Sequence, residues 1–445
     1  MNNFYRRNSS RIPRIVCATL AWMAGHSGIA FAEQPPEPVW AVNVGGAAIT
    51  GIDGTAYEAE TSVTGGAVRR LETIKGSQDS ALYREFREGD IRVERALENG
   101  IYDVTLHFAE PDPVEGGQRL FDTIIEGEVV IDDLDVMAFR DGKIHSALTV
   151  TVPDIEVADE GLSIRFAASS GSPVLSALVV RKPQPADDDW QLVWSDEFDS
   201  DSLDPDKWSP DIWPARKVND EDQAYTARPE NLRIEDGMLV IESHLEDYDG
   251  ASYTSGRIHT AGKGDFLYGR FVVRAKLPRG MGTWPAIWML PSDPFRYATR
   301  CEAGTDWQGN ADCDAWPNSG EIDIMEHVGY QMGHVHGTVH NEAYYWAKWE
   351  QRKGRILFDD VDENFVVYAL EWTPDRIDIF ADDTLYFTYV NENDGWRSWP
   401  YDHPFHLILN QAVGGMWGRS GGGIDDSIFP QRMYVDYVRV FQRPK

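Results

Sequence analysis

Glu321, Asp323 and Glu326 lie close together in the run Gly320-Glu-Ile-Asp-Ile-Met-Glu-His327. Side chains on a β-strand alternate faces, so Glu321 and Asp323 share one face while Ile322 and Ile324 point into a core. Strict alternation would put Met325, not Glu326, beside the first two acids. A one-residue β-bulge at Ile324-Met325 restores the register and brings Glu326 round to the polar face. About 13 Å then separates the two Glu backbones, at roughly 3.3 Å per step, and inward-leaning side chains narrow the carboxyl gap to about 5 Å. Such a gap suits glycosidic bond cleavage with retention, whereas inverting chemistry needs roughly 6.5–9.5 Å to admit a water. Three carboxylates in one cleft do not all ionise cheaply, so one is expected to hold a proton near neutral pH. Glu321 is the expected nucleophile and Glu326 the general acid/base. Asp323, between them, hydrogen-bonds the nucleophile and sets the proton distribution. The same alternation of acids and Ile also describes a solvent-facing edge strand.

Sixteen Trp is a high count, and flat aromatic faces suit pyranose rings. Trp284, Trp288, Trp316 and Trp417 lie beside turns or on strands adjoining the acids, where one face of each is open to stack on a sugar. Core packing is the alternative for all four. His334, His336 and His340 share parity, so they project to one face. A zinc set is one reading of them, but the neighbouring acids already supply a metal-free mechanism.

The elements that must position these groups are β-strands. The chain has 445 residues, 42% of them hydrophobic and 12% aromatic, ample for large cores. Its net charge of −32 argues against a nucleic-acid partner, since a polyanion would be repelled. Arg6, Arg7, Arg11 and Arg14 precede an apolar stretch, and Ala30-Phe-Ala32 offers a cleavage site, so residues 1–32 read as a signal peptide. Their removal leaves 37 basic against 73 acidic side chains, a net −36. No later apolar run has the roughly 18 residues of a membrane span, so the expected product is soluble and secreted or periplasmic. Nothing demands a dimer, and a monomer is expected. Cys17 leaves with the leader, and Cys301 and Cys313, an even pair in an oxidising compartment, are expected to form a disulfide. The acidic, Pro-containing stretch 183–189 reads as a linker between two patterned regions, 38–182 and 190–442. Period-two runs such as Tyr102–Phe108, Ser163–Phe166, Leu239–Ser243, Gly269–Leu277 and Arg376–Phe380 fill both regions, and Ala381-Asp-Asp383 makes a hairpin turn. The fold class is all-β, two β-sandwich domains.

Glu-Ile-Asp-Ile-Met-Glu, preceded by Trp284-Pro-Ala-Ile-Trp-Met-Leu290 and followed by His336-Gly-Thr-Val-His340, resembles glycoside hydrolase family sixteen in its laminarinase-like branch. Asp196-Glu-Phe-Asp199, Tyr253-Thr-Ser-Gly-Arg257 and Tyr434-Val-Asp-Tyr-Val-Arg-Val440 extend the resemblance over residues 190–442. It implies a concanavalin-like jelly roll with a concave substrate cleft, and endo-hydrolysis of β-1,3-glucan with retention. The inserted Met325 belongs to the bulged form of the motif that laminarinases, agarases and carrageenases have in common. Agar or carrageenan is therefore an alternative substrate, although a strongly acidic protein is a poor match for a sulfated polyanion. A non-catalytic glucan-recognition protein is the alternative from another class; such relatives lose catalytic acids that this chain keeps. The resemblance also makes His340 a hydrogen-bond donor to sugar near the scissile bond, and Arg257 and Asn219 substrate contacts. It implies no catalytic cofactor. A structural calcium ion is implied on the convex face, held by Glu197, the Gly237 carbonyl and Asp436, oxygen ligands suited to a hard cation.

In the front region, Val39-Trp-Ala-Val-Asn-Val-Gly-Gly46, Ala81-Leu-Tyr83, His107-Phe-Ala-Glu110 and Gln118-Arg-Leu-Phe-Asp122 resemble the malectin-like carbohydrate-binding domain. Malectin carries an aromatic pair after its Phe-Ala-Glu; this chain has Pro111-Asp-Pro-Val-Glu-Gly-Gly117 instead. Tyr57 and Tyr83 are the candidate sugar contacts there, and a spacer domain is the competing view.

Overall fold

The computed structural model describes residues 37–140, 142–183, 189–358 and 360–444. The expected leader over 1–32 and the middle of the expected linker, 184–188, lie outside the described residues. Strands dominate: the two α-helical turns, Ala315–Asn318 and Gly415–Gly418, are four residues each. Tyr102–Phe108 falls within the strand Gly100–Ala109, Ser163–Phe166 within Gly161–Ser170, and Leu239–Ser243 within Met238–Tyr248. Gly269–Lys276 and Arg376–Ala381 are strands too, and Asp382, at φ 51°, turns the latter back into Thr384–Val390.

Alternation gives each region a core of its own. In front, Trp40, Phe108, Phe121, Phe166 and Val180 cluster; behind, Phe271, Ile322, Trp372, Tyr401 and Phe405 do. Each such side chain withdrawn from water stabilises by about 1.5–3 kcal/mol. The rear region is a sandwich. One layer runs Arg257–His259, Phe405–Val413, Thr283–Pro291, Glu321–Glu326, His334–His340, Arg352–Leu357. The facing layer includes Met238–Tyr248, Gln431–Gln442, Gly269–Lys276, Val366–Trp372 and Arg376–Ala381, and ends at Thr384–Val390.

The two regions are more closely joined than a linker suggests. The layer carrying the acids does not stop at Arg352–Leu357. It continues through a parallel pairing of Ile356 with Thr151 into the front strands Ala147–Val157, Gly100–Ala109, Ala177–Arg181 and Trp40–Asn43, within one sheet of fourteen strands. Leu357 packs against the front core. The Arg355 guanidinium lies 4.9 Å from the Phe139 ring centre and donates to the Phe139 carbonyl, while that ring packs 4.6 Å from His334.

Asp103 of the front region is buried and accepts from the Thr384 hydroxyl at 3.1 Å. Burial pushes its carboxyl from the ordinary 3.8 to about 7, against the pull of that hydroxyl. A carboxyl more basic folded than unfolded gives its full stabilisation below the unfolded value and loses it as pH climbs to the folded one. Thermal melts of Asp103→Asn are therefore expected to vary less between about pH 4 and pH 7 than those of the wild type. Parallel curves would show that Asp103 does not titrate in that window.

Candidate active site

Just before the acid strand Glu321–Glu326 lies Gly320, whose φ of +92° suits glycine, and a Cβ there would stand 3.0 Å from both Pro400 and Tyr401. Ile322, Ile324 and Met325 are fully buried in the rear core. Against the strand His334–His340, Asp323 pairs with Thr338 and Glu326 with His336, so Ile324 and Met325 together oppose the single residue Gly337. On the other side Asp323 pairs with Trp288 and Met325 with Ile287. The bulge lies where the broken alternation predicts it, and Glu326 joins Glu321 and Asp323 on the open face.

Each Glu accepts an indole N–H. Trp316 Nε1 donates to Glu321 Oε2 at 2.8 Å, and Trp284 Nε1 donates to Glu326 Oε1 at 3.0 Å. Asp323 is buried, and a carboxylate oxygen of Glu321, one of Asp323 and a ring nitrogen of His340 all lie within 4.8 Å of one another. Burial lowers His340 to about 3, so it stands there as neutral imidazole. All three acids are pushed upward. For Glu321 the cause is burial and then the charge of Glu326, which take it to about 8. Asp323 goes well above its ordinary value through burial and then the charges of Glu321 and Glu326. Glu326 is raised by burial, with Lys353 and the Trp284 hydrogen bond opposing. The cluster thus carries protons near neutrality. Asp323 holds the firmest one, because no donor among the described residues reaches its Oδ2 and like charges flank it on both sides.

Trp417 meets Trp284 edge-on at 5.6 Å and His336 at 5.0 Å, with the Lys353 ammonium 4.2 Å over its ring. Trp288 donates to Asn410 Oδ1 at 2.7 Å, and Asn410 donates to the Tyr225 hydroxyl, which donates to Glu221. All four Trp are half-buried, and Trp284, Trp316 and Trp288 act as N–H donors, a function that stacking did not suggest. Arg257 departs from expectation. It is buried between the rings of Trp213 and Trp288, 4.5 and 4.8 Å from their centres, and donates to Asp211 at 2.7 Å. It therefore orients Trp288 from beneath. Asn219 is exposed at φ 50°; its amide donates to Glu221 and its carbonyl accepts from the Met416 N–H, which ties it to the loop carrying Trp417. Glu221, Tyr225, Asn410, Asp211 and Lys353 were not legible as site residues, for they come from scattered loops and strands with no shared motif.

The three histidines do not gather round a metal. His334 packs on Phe139, His336 stands opposite Glu326 and accepts from Arg355 at 2.9 Å, and His340 lies beside Glu321 and Asp323. The calcium set does not fit either. Glu197 is held by two hydrogen bonds from Arg439, at 2.6 and 3.0 Å, and Asp436 pairs with Arg274, so each anionic ligand already faces a guanidinium. Cys301 and Cys313 are bonded, with Cα atoms 5.0 Å apart. In the chain-entropy model a loop of that size is worth about 3 kcal/mol. It also steadies the loop from which Asp314 accepts the Thr299 and Arg300 N–H groups, just before Trp316.

Tyr57 and Tyr83 are buried, contrary to a role as open sugar contacts. The Tyr83 hydroxyl bonds His107 Nδ1 at 2.8 Å and Thr149 at 2.9 Å. Both rings border a cavity of about 130 Å³ whose far wall is Arg352, Lys353 and Tyr386 of the rear region. Where malectin has its aromatic pair, Asp112 is clamped by Arg69 and Arg119 instead.

Half-buried carboxyls that hold protons beside indoles are the equipment for breaking a glycosidic bond, and fold and site together define a β-sandwich glycoside hydrolase. Residues 219–439 match the family model of glycosyl hydrolases family 16, and residues 38–179 match the malectin domain. The chain is 49% identical over 260 residues to the beta-glucanase of Rhodothermus marinus, an overlap of 57% of this chain and 85% of that one. The laminarinase structure from Rhodothermus marinus matches with a TM-score of 0.52 at 48% identity, over 57% of this chain and 98% of that one. SCLam, a non-specific endo-beta-1,3(4)-glucanase solved with 1,3-beta-D-cellobiosyl-glucose at its active site, matches with a TM-score of 0.52 at 40% identity, over 59% of this chain and 98% of that one. The chain belongs to glycosyl hydrolases family 16.

Proposed function

We propose that this enzyme is an exported endo-β-1,3-glucanase that cleaves laminarin-type glucan with retention of anomeric configuration. The observation that carries the reading is the pairing of Glu321 and Glu326, each with one oxygen taken by an indole N–H, on either side of a bulge. Those hydrogen bonds leave Glu321 Oε1 and Glu326 Oε2 for chemistry. Glu326 gives its proton to the glycosidic oxygen as Glu321 attacks the anomeric carbon, the bond breaks, and a glycosyl ester forms on Glu321. Glu326, now a carboxylate, takes a proton from water, which attacks the ester and frees Glu321. Asp323 keeps its own proton throughout and points it at Glu321, a bond that favours the ionised nucleophile against the burial and the Glu326 charge that raise it. Retention is supported by the placement of the two Glu on one face of one strand, either side of a one-residue bulge. A neutral glucan suits a chain with 73 acidic side chains better than a sulfated one does, and the glucanases it resembles point to the β-1,3 linkage. Export rests on the expected leader.

The test is to incubate the purified protein with laminarin, lichenan, agarose and carrageenan and measure reducing ends. Release from laminarin is expected; release from agarose or carrageenan alone would overturn the reading. Following the first product by NMR should show the β-anomer, and an initial α-anomer would exclude retention.

A further inference from the structure

The bulge that turns Glu326 toward Glu321 leaves Ile324 without a cross-strand partner on either side. Its carbonyl lies in the rear core, where an unpaired polar group is costly. From the facing layer, the hydroxyl of Tyr386 crosses the sandwich and donates to that carbonyl at 2.8 Å. Gly337, opposite the bulge, makes the crossing possible. A Cβ there would stand 3.0 Å from Tyr386 Cε2 and 3.2 Å from its hydroxyl oxygen. Burial, and then the charges of Glu326 and Asp323, keep the phenol protonated and hence a donor.

Tyr386 sits on Thr384–Val390, the end strand of its layer, and the front region grips that strand at both ends. Asp103 accepts from Thr384 at one end. At the other, the Gln78 amide donates to the Val390 carbonyl at 2.9 Å and accepts from the Val390 N–H at 3.0 Å, in the manner of a neighbouring strand.

We propose that Tyr386 is a positioning residue for Glu326, pinning the bulge through the Ile324 carbonyl, and that the front region serves catalysis by holding the strand that carries Tyr386. The proposal rests on Glu326 being the acid/base. A bond between facing layers fixes the bulge against sliding, and a displacement of about 1 Å at a reacting group costs on the order of 10²-fold in rate.

The test compares the full-chain Tyr386→Phe and Gln78→Leu variants with wild type on laminarin, across pH. Tyr386→Phe is expected to lose at least about tenfold in kcat with KM within about twofold. Its alkaline limb should move, because the burial that raises Glu326 changes when the bulge relaxes. Gln78→Leu, remote from the acids, should move kcat and the same limb in the same direction by less. A hydroxyl that merely satisfies a buried carbonyl would lower the melting temperature and leave kcat, KM and the pH profile at wild-type values, which would overturn the proposal. Unchanged kinetics in Gln78→Leu would overturn the part played by the front region, and that variant carries the test if Tyr386→Phe fails to fold. No cleavage of laminarin by the wild type would tell against the functional reading instead. A crystal structure of Tyr386→Phe then decides: Glu326 keeping its Trp284 hydrogen bond overturns the proposal, and losing it upholds it.

Discussion

Glu321→Ala should reduce turnover of laminarin by at least roughly 10⁴-fold, the upper end of what a positioned proton-transfer group alone contributes, because the covalent step disappears entirely. The fold should survive. Glu321 is one of three neighbouring acids, each raised by desolvation, and it and Asp323 are raised further by their neighbours' charge; removing one relieves that crowding. The melting temperature is therefore expected to hold or rise, a trade of stability against activity typical of active sites. Added azide offers a small nucleophile for the vacated space, and with Glu326 still donating its proton the product should be the α-glycosyl azide. A variant with near-wild-type turnover, or azide trapped as the β-anomer, would remove Glu321 from the role of nucleophile.

Glu326→Ala should cost roughly 10²–10⁴-fold on laminarin, the usual contribution of a general acid. Its signature is selectivity. An aryl glycoside with a good leaving group needs no proton to depart, so its first step should be nearly spared, and azide should now give the β-glycosyl azide. The pH profile offers a second check. Burial raises Glu326, so the wild-type acid stays protonated to higher pH than a free Glu, and activity falls as pH climbs through the raised value. Protonation of Glu321 sets the acid limb, and that value is raised as well. Glu326→Ala should keep the acid limb and lose the alkaline one. An equal loss for every leaving group, with both limbs intact, would mean that another group supplies the proton.

The acid strand was legible because its chemistry and its packing conflict in the one-dimensional pattern. Ile322 and Ile324 fix one register, Glu326 demands another, and one inserted residue is the cheapest reconciliation. Strand positions were legible for the same reason, since period two reports which side meets the core. What remained hidden comes from contacts between distant segments. Trp316 and Trp284 announce an aromatic site, but their use as N–H donors depends on loop paths that no alternation encodes. Arg257 was expected to contact substrate, and Trp213 and Trp288 close over it instead. Glu197 and Asp436 looked like free ligands, and each is paired with a guanidinium, of Arg439 and of Arg274. Tyr386 reads in sequence as one more core aromatic; its value lies in which carbonyl it meets across the sandwich.

The pairing of Ile356 with Thr151 also bears on how such enzymes are dissected and recombined. Cutting the chain between its two halves would open the edge of Arg352–Leu357 where it meets Ala147–Val157. It would uncover the flank of the layer that carries the acids and leave strand-edge amides open there, the kind of surface on which β-proteins stick to one another. Fusions that transplant the hydrolase half onto another carrier would accordingly gain from a shield along that flank as well as a tether.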